Sequence, residues 1–299
     1  MDEEGMVRED GMMLEYVDDQ TEEICLIAVR ENWKALRYVR EQTEAICLEA
    51  VRQNGYALEF VKEQTEEICL TAVKRDGYAF HYLKEQTEEL CLMAMKQDGF
   101  LLGCVTDQTE EICFEAVKEE GLALEYVEEQ TEELCWIAIK QNCRAIEFVE
   151  NQTEEMCWEV LKRNPSLIRF IHNETKDMCW YVLERDPTMI CYVSDQTEEM
   201  CWEVLNRIPS LIRFIHNQTE EMCWYVLEKD EEFLTYIKNQ TEEMCLMAVR
   251  KRGSVLMHVD NQTVEICLEA MKNDDSCLTL INDVGVLRRV CEILGIELV

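Results

Sequence analysis

Long apolar stretches are missing from this chain. No window approaches 18 uninterrupted apolar residues, which excludes an ordinary transmembrane helix. Basic residues are scarce, 29 against 63 acidic ones, and the formal charge of -34 repels phosphate backbones and anionic lipid headgroups. Ordinary nucleic acid and membrane surfaces are therefore not expected as partners. Residues Met1 to Gly11 are acidic and lack the basic and apolar regions of a secretory signal, so a soluble intracellular chain is expected. Histidine occurs only at His81, His172, His216 and His258, in scattered or duplicated places, and there is no HExxH, nucleophile elbow or phosphate loop. The expectation is a protein that is not an enzyme, with no catalytic residues, cofactor or metal site.

Proline is rarer still, and its placement leads to what the chain contains. Pro165, Pro187 and Pro209 are the three prolines, spaced 22 residues apart. Thr21, Thr43, Thr65, Thr87, Thr109, Thr131, Thr153, Thr175, Thr197, Thr219, Thr241 and Thr263 keep the same period without an insertion. A constant period of this length marks a stacked array in which each unit buries its apolar side against its neighbours. With 47% apolar residues the chain has enough such surface to fold despite its charge.

One copy, Gln42 to Glu63, shows how the unit works, counting each threonine as position 0. Ile46, Cys47, Ala50 and Val51 fall at positions 3, 4, 7 and 8, the spacing of one helical stripe. Thr43 is a natural N-cap, Glu44 favours the positive helix end and Arg52 the negative one. This predicts a helix A of roughly three turns. Gly55 at position 12 is expected to stop it in a left-handed conformation. A second stripe at Ala57, Leu58, Phe60 and Val61 predicts a helix B of about two turns, partly 3₁₀. Position 12 holds glycine in some copies and all three prolines in others, since proline can open a helix but not sit inside one.

The expected architecture is an all-α solenoid of about 12 to 13 two-helix repeats. Residues 1–19 form an N-terminal half-repeat cap, 20–282 twelve repeats and 283–299 a terminal capping helix. At roughly 9 Å per layer it would be an elongated or superhelical rod on the order of 100 Å. Gln152 to Asn173 and Gln196 to Asn217 differ only at Lys162 versus Asn206 and Asn164 versus Ile208, so a 44-residue pair has been duplicated.

The phrase Gln-Thr-Glu-Glu-Ile-Cys-Leu, followed by Ala-Val-Lys or Ala-Val-Arg, Gln-Asn-Gly, Ala-Leu and an aromatic-Val pair, resembles short helical repeats of proteins encoded by giant DNA viruses of the mimivirus group. It is similar to an uncharacterised repeat of the form LAAVKQNGLALQY. The resemblance covers roughly residues 6–282 and supplies no catalytic residues. A looser architectural likeness is to leucine-rich repeat variants, in which helices alternate with short 3₁₀ segments.

Several residues recur at one position and are candidates for function. Twelve cysteines, Cys25 to Cys267, occupy position 4. Copies about 8 to 10 Å apart cannot join them as disulfides or a shared metal site, so they read as buried free thiols in a reducing compartment. Trp136, Trp158, Trp180, Trp202 and Trp224 stand at position 5, where other copies carry leucine or phenylalanine. They either pack between copies or form an aromatic binding strip. Glutamates at positions 1 and 2, including Glu110, Glu111, Glu154, Glu155, Glu198 and Glu199, complement helix dipoles and also make a negative edge suited to a basic partner. Glutamine precedes every threonine except at Glu174, a place from which an amide can bridge copies. The Asn-X-Thr triplets are a by-product of the repeat and are not read as glycosylation sites.

The functional expectation is a scaffold that binds a protein partner along an extended surface, in the host cytoplasm or virion if the chain is viral. Alternatives are an acidic mimic or chaperone that sequesters basic proteins, and a self-assembling structural component.

Overall fold

A computed structural model describes residues 3–272 and 274–296. Among these residues there are 27 helices and no strand, with α-helices and 3₁₀ helices alternating at a period of about 22 residues. The chain is an α-solenoid, and it divides into two compact units, Met1–Asn164 and Pro165–Val299.

The copy that starts at Thr43 shows how sequence sets the local structure. Thr43 is extended, and its hydroxyl oxygen accepts the Ile46 N–H at 3.4 Å, which relieves one of the unpaired donors at the start of helix A. Helix A runs Glu44–Gln53 and buries Ile46, Cys47, Leu48, Ala50 and Val51. It stops at Asn54, which turns extended (φ -151, ψ 122) while its own N–H still bonds the Ala50 carbonyl at 3.1 Å. The Asn54 side chain accepts the Tyr56 N–H at 2.9 Å and so starts helix B, Gly55–Phe60, which is 3₁₀ throughout. One residue thus closes helix A and opens helix B. Asn32, Asp76, Asn142, Asp186 and Asp230 do the same elsewhere; Asp98 and Asp274 open helix B in this way after a helix A that ends earlier, at Lys96 and Lys272, whereas Glu120, Ile208 and Arg252 make no such side-chain bond.

The expectation for the position-12 glycines is corrected here. The only residue with positive φ among those described is Gly295 (φ 68), which ends the terminal helix Val284–Leu294. Gly55 opens helix B and is small because the next copy is close. A Cβ placed on it would lie 2.6 Å from the Ala72 carbonyl oxygen, and one on Gly121 would lie 2.6 Å from that of Ala138. The facing residue is seventeen positions further on, and for Pro165, Pro187 and Pro209 that residue is Val182, Val204 and Val226. Trp33, Cys143 and Glu231 stand at this position in other copies, so the close approach is a property of the glycine copies. Pro187 and Pro209 occupy the first turn of helix B, where a missing N–H costs nothing.

Glutamine side chains tie successive copies together. Gln42 Nε2 donates to the Leu36 carbonyl at 3.2 Å and the Phe60 carbonyl at 2.9 Å, and its Oε1 accepts the Lys62 N–H at 2.9 Å. Gln196, Gln218, Gln240 and Gln262 repeat all three bonds. At the other end of helix A, position 10 reaches back to the last carbonyls of the preceding helix. Gln53 donates to Val29 and Arg30 at 2.8 and 3.0 Å, and Arg207 to Leu183 and Glu184 at 2.9 and 3.0 Å. Carbonyls orphaned at one helix end are thus satisfied by the neighbour. At the N-terminal side, Glu3–Glu9 forms a short α-helix ahead of the 3₁₀ segment Gly11–Tyr16, so more than a helix B precedes Thr21.

Candidate partner-binding face

Stacking generally buries positions 3, 4, 7 and 8 of helix A and leaves positions 1, 2 and 9 facing outward, with positions 5 and 6 at the edge, where Leu48 and Ile27 are buried and most others are half-buried. The candidate residues all lie on this face. Glu110, Glu111, Glu154 and Glu155, with Trp136 and Trp158, belong to the first unit, and Glu198 and Glu199, with Trp180, Trp202 and Trp224, to the second.

All six glutamates are exposed. The ion pairs on the face join positions 6 and 9, as in Arg30–Glu49, Lys118–Glu115 and Arg250–Glu269, each at 3.4 Å, and do not involve positions 1 and 2. Position 1 has a structural task beyond the helix dipole, because its carboxylate accepts the threonine hydroxyl of the next copy. Thr43 donates to Glu22 at 2.7 Å, Thr65 to Glu44 at 2.9 Å and Thr109 to Glu88 at 3.0 Å. Position 2, which includes Glu111, Glu155 and Glu199, is the row that leaves its charge to solvent.

The five tryptophans are half-buried. Trp158 and Trp224 each donate Nε1–H to the glutamate one turn earlier, Glu154 and Glu220, at 3.3 Å. Trp202 packs edge-on to Tyr225 with centroids 5.6 Å apart, and the Lys140 ammonium lies 6.0 Å from the Trp136 ring. Their rings keep one side against the stack and one side open. Where phenylalanine replaces them, Phe114 is 39% exposed, at the edge of a 460 Å³ hollow lined by Glu88, Glu110, Glu111 and Glu133.

The position-4 cysteines are buried and unpaired, and all seventeen cysteines are free thiols. Cys47 and Cys113 point their sulfur at the preceding glutamine Oε1, at 3.7 and 3.4 Å. Burial, which disfavours the thiolate, pushes Cys47, Cys157, Cys179, Cys201, Cys245 and Cys267 up to about 11. Such thiols are inert packing groups at neutral pH. Among the described residues no group of three or more His, Cys, Asp or Glu is placed to hold a metal, and no helix is long and apolar enough to cross a membrane.

The structure leaves partly open a row that the sequence reading placed in the apolar stripe of helix B. Aromatic residues recur at position 17, at the end of helix B: Tyr38, Phe60, Tyr82, Tyr126, Phe148, Phe170, Tyr192, Phe214 and Tyr236. Tyr126 and Tyr192 are 39% and 41% exposed, and the others are half-buried. Trp33 stacks on Phe60 at 6.0 Å, Phe100 meets Tyr126 edge-on at 6.4 Å, and the Arg37, Arg169 and Arg213 guanidiniums lie over Phe60, Phe170 and Phe214 at 4.4 to 4.6 Å. These contacts make the row largely self-satisfied. Its signal was the fixed spacing of the rings.

Two segments of this pattern correspond to a known family. Residues 65–109 and 109–152 each match the model of a domain of unknown function, DUF4116. The first match begins at Thr65 and ends at Thr109, so one DUF4116 unit corresponds to two 22-residue copies. Both matches fall in the first compact unit. A search of the curated proteins finds no match to this chain.

Proposed function

We propose that the chain is a non-enzymatic scaffold that binds a protein partner along the outer face of its A helices. The observation that carries this reading is the half-open tryptophans of each unit, Trp136 and Trp158 in the first and Trp180, Trp202 and Trp224 in the second, flanked by exposed carboxylates without ion pairs. Aromatic rings with one free side, bordered by polar groups, are the usual anchors of protein interfaces. Seventeen free thiols and the likeness to giant-virus repeats suit a reducing intracellular setting, host cytoplasm or virion. Affinity capture from the native cell with the whole chain tests the reading, repeated after Trp158, Trp180 and Trp202 are changed to Ala. A partner lost while circular dichroism and the melting curve stay intact supports it. Retention of every partner by the triple variant refutes it.

A second reading, capture of basic proteins by the acidic row, is favoured by the charge of -34 and by the scarcity of cations at positions 1 and 2, where Lys176 alone interrupts the acidic and neutral residues. Salt separates the two. Capture by charge collapses as ionic strength rises from about 0.05 M to 0.5 M, whereas an aromatic interface persists.

A further inference from the structure

At position 19 the chain supplies, in some copies, its own cation to a pair of backbone carbonyls, and in others it leaves that pair open. Lys62 Nζ donates to the Val39 and Arg40 carbonyls at 3.0 and 2.8 Å, and Lys84 Nζ to those of Val61 and Lys62 at 3.4 and 2.5 Å. Arg40 does the same for Asp18 and Val17 at 2.9 and 3.3 Å, and Lys238 for Ile215 and His216 at 2.9 and 3.1 Å. These carbonyls lie just past helix B of the preceding copy, so each pair is a ready acceptor for an ammonium.

Glu128 and Glu150 stand at this position further along the first unit. By the repeat register they face the Val105 and Thr106 carbonyls and the Val127 and Glu128 carbonyls, to which no side chain among the described residues donates. The surrounding space matches in detail. Around Lys62, a hollow of 240 Å³ is lined by Gln42, Glu44, Cys47, Glu63, Thr65 and Ile68. Three copies later its counterpart has Gln108, Glu110, Cys113, Glu129, Thr131 and Leu134 in the same places, with Glu128 where the lysine was, and measures 320 Å³. Charge points the same way. From Asp107 to Glu133 the sequence holds eleven acidic residues and one cation, Lys118, which is paired to Glu115 at 3.4 Å.

We propose that the hollow at Glu128 and, by the repeat register, the equivalent place at Glu150 each take a lysine side chain from a lysine-rich segment of a partner protein, the ammonium lying between the paired carbonyls and the position-19 carboxylate. Lys62 and Lys84 show, within the same unit, the group that this site is built to accept. The inference rests on the reading of a basic partner and names its side chain. An ammonium enters as it stands, with no bond made or broken.

The probe is a fluorescently labelled peptide of alternating lysine and alanine, titrated by anisotropy into the full chain at about 0.15 M salt. Saturable binding is expected, and it is expected to vanish when every lysine of the peptide is acetylated. The double variant Glu128→Lys and Glu150→Lys provides internal ammonium groups as Lys62 does, so it folds with at least wild-type melting temperature and loses about tenfold or more in affinity. Lys62→Glu opens a further site and raises the binding capacity. The control Glu59→Lys and Glu125→Lys changes net charge equally on helix B and costs less than about twofold. Equal loss in the two double variants would show a diffuse field without a site and overturn the proposal, as would an absence of saturable binding. Native capture that survives either result leaves the scaffold reading standing, so the two can fail separately.

Discussion

Gly55 and Ala72 belong to adjacent copies, and they approach so closely that a Cβ on the glycine would lie 2.6 Å from the alanine carbonyl oxygen. The oxygen is backbone and cannot swing aside. Gly55→Ala is therefore expected to destabilise the protein by about 3 kcal/mol, the upper part of the range for overpacking. Urea unfolding checks this. A change below about 0.5 kcal/mol would mean that copies slide apart easily, contrary to the tight stack described above.

Ile208 opens helix B, Pro209–Phe214, without a side-chain cap, although its duplicate has Asn164 at that place. Ile208→Asn should supply an acceptor to the Ser210 N–H, as Asp186 does for Thr188 at 2.9 Å. The expected gain is about 1 kcal/mol, measured as a raised thermal midpoint. A lowered midpoint would mean that the apolar contacts of Ile208 outweigh the cap.

Glu174 interrupts the glutamine series. Its carboxylate accepts the Ser194 N–H at 2.5 Å, but it has no amide to donate to the Ile168 and Tyr192 carbonyls, as Gln196 donates to Ile190 and Phe214 at 2.9 and 3.0 Å. Glu174→Gln is expected to stabilise the second unit by about 1 to 2 kcal/mol. The reverse test is Gln218→Ala, which removes bonds to Ile212, Tyr236 and Lys238 and should cost about 2 to 4 kcal/mol. If both variants melt with the wild type, the amides contribute nothing to cohesion between copies.

Six buried thiols are pushed up to about 11 by desolvation, from an ordinary value of 9.0. Above the ordinary value the unfolded chain releases protons that the folded chain keeps. Their stabilisation is therefore complete below pH 9 and is lost as pH rises toward 11. The melting temperature should fall steeply across that window, and a thiol reagent at pH 8 should reach Cys104, exposed, far faster than Cys201, buried. Rapid labelling of Cys201 in the folded protein would contradict the packing role.

Much of this was legible in the sequence, and what was not has a physical reason. Thr43 and the stripe from Ile46 to Val51 act through bonds a few residues long, so the period and the N-cap could be read directly, whereas the cap at Asn54 was overlooked in favour of its neighbour Gly55. The role of Gly55 could not, because the atom that forbids a side chain lies seventeen residues away in another copy. Trp158 was ambiguous because position 5 is at the edge of the buried stripe, and only the packed neighbours decide how much of the ring stays open. Tyr126 and its row were counted with the buried stripe because helix B is too short for apolar spacing to say which side faces out. The open carbonyl pair beside Glu128 needed the structure of Lys62 as a guide.

The bonds between copies span short stretches of sequence, from 18 residues for Gln42 to Phe60 to 24 for Gln53 to Val29. Contact order is correspondingly low, and no loop closure between distant parts of the chain has to precede folding. Each copy leaving the ribosome can dock at once on the one made just before it. Synthesis and folding can then advance together, with little time for the many free thiols to be exposed to oxidants.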